Sequence, residues 1–108
     1  MELDKIYAIQ KNDTLLGVWY EEKEEFATVF FQWLEDAERY IISWGLDPSD
    51  VEFIKFKGWN GIYEGFKKAA AASVHATIDP PRYKESFQVF EIQPIVDQIE
   101  QQMYHPYS

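Results

Sequence analysis

Cysteine is absent from all 108 positions, which removes disulfide frameworks, thiolate nucleophiles, iron–sulfur clusters and cysteine zinc sites from consideration. Positive charge is scarce: 10 Lys and Arg stand against 19 Asp and Glu, a formal net charge of −9. Without a basic face to displace counterions from phosphates, neither nucleic acid nor an anionic membrane surface is expected as a direct partner. Long apolar runs are lacking as well, and the opening Met1-Glu2-Leu3-Asp4-Lys5 does not read as a secretory signal, so a cytoplasmic protein is expected. The two histidines, His75 and His105, lie thirty residues apart and form none of the short ligand spacings of zinc sites. No twelve-residue calcium loop occurs either. Gly58, Gly61 and Gly65 lack the Lys-Ser/Thr ending of a phosphate loop and the close first glycine pair of a dinucleotide fingerprint. No metal and no cofactor is expected, and no nucleophile–base–orienter constellation is evident around Ser73 and His75.

What the chain does have is apolar and aromatic residues, 46% and 18% of the sequence, enough for one core in a chain of single-domain length. Ile6–Gln10 and Leu15–Tyr20 are rich in aromatic and β-branched residues and flank Lys11-Asn12-Asp13-Thr14, which predicts an amino-terminal β-hairpin. Gly17 marks a bulge or a place where the following helix crosses closely. From Glu21 to about Trp44 apolar residues recur at steps of three and four, among them Phe26, Phe30, Trp33, Ala37, Ile41 and Trp44, which predicts one long amphipathic helix with these six facing the sheet. Gly45, Leu46 and Pro48 supply its stop signal. Val51–Lys57 reads as a strand. Residues 61–75 read as an Ala-rich helix capped by Asn60 and weakened by Gly65, with a small face suited to close packing on a sheet. Residues 77–83, with Asp79-Pro80-Pro81, read as an extended connector, Ser86–Ile92 as a strand ended by Pro94, and Ile95–Met103 as a short helix. The expectation is a single acidic α+β domain over residues 1–108, its helices packed on a mainly antiparallel sheet.

Charge is divided unevenly along this order. Residues 1–54 hold 13 acids and 4 bases, while residues 55–108 hold 6 of each. A one-sided excess of this kind gives a negative face that speeds association with a basic surface, although a plain solvated helix would carry the same charges. On the predicted first helix, Glu24, Phe31, Glu35, Glu38 and Ile42 fall on the side away from the apolar stripe, with Phe31, Glu35, Glu38 and Ile42 forming a ridge. A ring flanked by carboxylates suits an interaction helix; the same side would equally be covered by the chain's own tail or by a second copy. Tyr83, Tyr104 and Tyr107, in polar segments, are the other rings expected to be available. The leading expectation is a non-catalytic protein-binding module, an acidic inhibitor or antidote that occludes the basic site of a nuclease or other nucleic-acid-handling protein. Phage anti-defence inhibitors and nuclease-immunity proteins are of that physical type, and no motif assigns the chain to either. The alternative is a small enzyme or ligand-binding domain, possible as a homodimer, with an aromatic-lined pocket between the sheet and the second helix that includes His75.

Overall fold

The computed structural model describes residues 4–80 and 87–104, the last of these by its backbone alone. Strands β1 (Lys5–Lys11) and β2 (Thr14–Leu15) are joined by Asn12-Asp13, both at positive φ, as a two-residue turn between twisted strands requires. At Leu16 the chain changes partner. Its N–H donates to the Ile9 carbonyl at 2.7 Å, while its own carbonyl accepts from the Val29 N–H at 3.2 Å. Beyond that point β3 (Gly17–Tyr20) pairs antiparallel with β4 (Glu25–Phe31), and β4 returns to β1 through Tyr7 opposite Phe31 and Ala8 opposite Phe30. The opposite side of β1 is taken by β5 (Glu52–Lys57), antiparallel from Lys5 opposite Lys57 to Gln10 opposite Glu52. β6 (His75–Ile78) runs parallel to β4, and β7 (Phe90–Glu91) antiparallel to β6. Helices α1 (Leu34–Ser43), α2 (Gly58–Ala70) and α3 (Ile92–Tyr104) pack on this mixed, mostly antiparallel sheet, which is the α+β architecture expected from the sequence.

Strand alternation sorts the core into two layers. Ile6, Ala8, Phe30 and Ala76 point to one face and are covered by Ile62, Phe66, Ala69, Ile92, Val96 and Ile99 of α2 and α3. Ile9, Val29 and Phe31 point to the other and are covered by Ala37, Tyr40 and Ile41 of α1. Helix α2 follows β5 without a connecting loop and folds straight back on it. A Cβ on Gly65 would stand 2.8 Å from the Phe56 ring, so the glycine expected to weaken this helix is what allows it to close on its own preceding strand. The end of α1 matches its sequence signal: Gly45 is left-handed at φ 78°, its N–H donates to Ile42, and the Leu46 N–H reaches back to Ile41 at 2.9 Å. No helix among the described residues is long and apolar enough to cross a membrane.

The largest departure from expectation lies between Glu21 and Trp33. These residues form a 3-10 turn at Glu21–Lys23, a left-handed Glu24 and strand β4, and a helix begins only at Leu34. The apolar spacing of a helix was imitated by a central strand. Ala27 to Phe31 are buried on both faces, so β4 has no polar face to reveal a two-residue period, and its Phe, Thr and Val content is that of a strand. Of the six residues expected to face the sheet, Phe30, Ala37 and Ile41 are buried, whereas Phe26, Trp33 and Trp44 are more than half exposed. Gly17 is approached closely, but by β4 rather than by a helix: a Cβ there would lie 2.8 Å from the Ala27 carbonyl oxygen. Further boundaries move, and of the strand expected over Ser86–Ile92 only Phe90–Glu91 is paired among the described residues. α2 starts at Gly58, which leaves Asn60 inside it, and ends at Ala70, which places His75 in a strand; Thr77 and Ile78, expected in a connector, complete that strand. α3 starts at Ile92 and tolerates Pro94 in its first turn, where no N–H partner is lost. Residues 81–86, His105 and Tyr107 lie outside the described residues, and with them Tyr83.

Candidate functional site

The predicted ridge is not assembled. Phe31, expected outside, is 1% exposed in β4, with its ring 5.2 Å from that of Tyr40 in the core beneath α1. It is a structural residue because strand alternation, not helical rotation, sets its direction. Glu24 lies in the tight turn before β4. Glu35, Glu38 and Ile42 do share the exposed side of α1, with Ile42 followed by the half-exposed Trp44.

A different acidic and aromatic surface is formed by the β3–β4 hairpin. Trp19 and Phe26 are cross-strand partners, their rings 5.2 Å apart at a near-perpendicular 73°, and they remain 48% and 59% exposed. They lie beyond the carboxyl end of α2, over a shallow depression that Ala70, Ala72 and Val74 complete. Between the two rings the chain runs through Glu21, Glu22, Lys23, Glu24 and Glu25; Glu22 and Glu25 are bonded to Tyr20 and His75, and the exposed Glu21 and Glu24 carry the remaining negative charge of the turn. The sequence carried a trace of this: a Glu-rich stretch bounded by Trp19-Tyr20 and Phe26 is also the pattern of two strand ends around a turn.

On the opposite face of the same hairpin, parallel pairing of β4 with β6 brings His75 to Glu25, whose carboxylate accepts from Nδ1. The Tyr20 ring lies tilted against those of His75, at 5.8 Å, and Phe87, at 6.1 Å. Its hydroxyl donates to Glu22 at 2.8 Å, and this bond pushes the Tyr20 phenol above its ordinary value. Glu25 and His75 are fifty residues apart, and no local sequence signal could have paired them. A carboxylate-oriented imidazole is one part of a base relay. The nearby hydroxyl is elsewhere: Ser73 accepts from Thr28 at 3.1 Å, on the face of the sheet that α2 and α3 cover. Among the described residues no three-member relay is assembled, and no group of three His, Asp or Glu is placed to hold a metal ion.

The aromatic-lined pocket of the alternative expectation exists without His75. A cleft of about 820 Å³ opens between α2, α3 and the β6–β7 end of the sheet. Trp59, Ile62 and Phe66 form one wall, at helical spacing along α2. Ile95, Ile99 and Met103 form the other, with Gln98 and Gln102 interleaved, and Ile78 and Phe90 close the floor. His75 points to the other face of the sheet, so the imidazole and the cleft are separated by the strand layer itself. The Tyr63 hydroxyl, donating to Glu100 at 2.7 Å, ties α2 to α3. No family model matches the sequence, and no curated protein matches it.

Proposed function

We propose that this chain is a non-catalytic protein-binding module that docks its acidic, ring-bearing hairpin on a basic partner surface, that of a nuclease or another nucleic-acid-handling protein, and thereby blocks the partner's phosphate site. The observation that carries this reading is the pair Trp19 and Phe26, two large rings in edge-to-face contact, half exposed, with the exposed Glu21 and Glu24 in the turn between their strands. Rings at the centre of an interface supply most of the buried area, and surrounding carboxylates supply orientation and association rate. Carboxylates at the tip of a hairpin can also take the place of phosphates on a cationic surface, which is the link to nucleic-acid handling. Glu35, Glu38 and Ile42 on α1 are a second, separate patch, and the hairpin is preferred because two exposed rings in contact with each other adjoin its run of charge.

The test is parallel affinity purification with the wild-type chain and a Trp19→Ser, Phe26→Ser variant, followed by measurement on the purified partner. A basic nucleic-acid-binding protein held by the wild type and released about 30-fold more readily by the variant supports the proposal, since anchors of this kind are worth about 2 kcal/mol or more. Association should also slow as salt rises, because exposed charges are screened within about 8 Å at physiological ionic strength. A partner bound equally by both chains, or an association rate indifferent to salt, would overturn it.

A further inference from the structure

The cleft between α2 and α3 lies at the opposite end of α2 from the hairpin, and its chemistry is of another kind. We propose that it is a binding site for a neutral small molecule with a largely apolar body and one hydrogen-bonding group of amide, amine or hydroxyl type. Three observations support this. The volume, about 820 Å³, falls in the range of roughly 300–1,000 Å³ typical of small-molecule sites. The described lining contains no ionisable side chain, in a protein where charge is otherwise abundant, so a ligand of either sign would lose its hydration without gaining a counter-charge. The polar groups that do line it are two neutral amides, Gln98 and Gln102, one helical turn apart on α3 among the residues that face the cleft. Each amide both donates and accepts, so together they can meet a single hydrogen-bonding head while the apolar walls take the rest. Trp59, 71% exposed in the first turn of α2, stands at the mouth with a face free for a ligand to lie on. A floor built on strands and walls tied by Tyr63 and Glu100 gives a site that exists before the ligand arrives.

The probe is N-phenyl-1-naphthylamine, a neutral aromatic amine whose emission rises in apolar surroundings, titrated into the full chain alongside the anionic dye 1-anilinonaphthalene-8-sulfonate. Saturable enhancement at one probe per chain is expected for the neutral dye, with at least tenfold weaker binding of the anionic one. Trp59→Ala and Gln98→Glu both alter exposed side chains, so their melting temperatures should match the wild type while affinity for the neutral probe falls about tenfold. Equal binding of both dyes, no saturation, or unchanged affinity in both variants would overturn the proposal. So would either rival occupant. A second copy of the chain would appear as a dimer in sedimentation that Trp59→Ala dissociates, and the chain's own carboxyl-terminal residues would appear as intramolecular magnetisation transfer from residues 105–108 to Ile99. None of these outcomes bears on the hairpin, whose test uses different residues and a macromolecular partner.

Discussion

Phe26 and Phe30 stand on the same strand and point to the same face of the sheet, four residues apart, yet one is 59% exposed and the other fully buried. Residue type, strand and direction are the same, and only the cover differs. Over Phe30 lies α2, with Phe66 meeting it edge-on at 5.2 Å; past the end of that helix Phe26 meets Trp19 across its own hairpin and a shallow depression edged by Ala70, Ala72 and Val74. A phenylalanine in a strand therefore becomes core or surface according to how far the neighbouring helix reaches. The α2 helix ends at Ala70, so the sheet divides into a roofed body and a projecting hairpin.

The sharpest way to break this comparison is to truncate both rings. Phe30→Ala should cost about 3–5 kcal/mol in denaturant melts, the range for a large aromatic removed from a packed core. Phe26→Ala should cost less than about 1 kcal/mol, as for surface substitutions; equal losses would mean that the hairpin is part of the core. The roof itself is tested by Gly65→Ala. The added methyl collides with Phe56 and should destabilise by about 1–3 kcal/mol, even though alanine is the better helix former. A stabilised variant would show that α2 does not sit as close to β5 as described. Tyrosines sharpen the contrast in a different way. Burial between α1 and the sheet pushes the Tyr40 phenol up to about 12, whereas an unfolded tyrosine titrates near 10. Its contribution to stability is thus complete below about pH 10 and is lost as pH rises towards about 12, because the unfolded chain releases the proton first. Tyr40→Phe should flatten that alkaline decline. Smallest of all is the expected effect of Glu22→Gln: the bond from Tyr20 survives without a full negative charge, so the Tyr20 phenol should titrate lower, nearer its ordinary value, in a difference absorbance titration with the fold unchanged.

The α+β class, the turn that opens the first hairpin, the terminating signal at Gly45 and the existence of a second helix were legible, because each depends on local chemistry: a turn at Asn12-Asp13, a left-handed glycine, and Ile62, Phe66 and Ala69 at helical spacing; the far end of the hairpin, Gly17–Tyr20, pairs with β4 instead, and the helix stops at Ala70, inside the Ala run. The segment from Glu21 to Trp33 was not. A strand buried on both faces hides its two-residue period, and the spacing from Phe26 through Val29 and Phe30 to Trp33 happens to fit a helix as well. Nor does Trp33, which precedes α1, offer a side-chain cap that would have announced the true start. That error carried the predicted site with it, since Phe31 and Glu35 share a helix face only if both are helical. Exposed rings and carboxylates do occur side by side among the described residues, on the β3–β4 hairpin rather than on a ridge through Phe31. The pairing of His75 with Glu25 and the cleft between α2 and α3 arise from tertiary juxtaposition and have no local signature.

The position of β1 between β4 and β5 also has a consequence for how the chain reaches its fold. Lys5 faces Lys57 and Gln10 faces Glu52, so one side of the first strand waits for a partner more than forty residues downstream, while its turn with β2 closes over two residues. Loop-closure entropy is paid before such distant pairing returns anything, so the hairpins β1–β2 and β3–β4 are the affordable early structures. The β5–α2 unit has no loop inside it, so pairing β5 with β1 also brings the α2 roof over Phe30, and β6 and β7 extend the sheet beyond β4. Until then, Ile6, Ala8 and Phe30 are uncovered together, and the interval before β5 arrives is when the nascent chain is most open to pairing with the wrong strand.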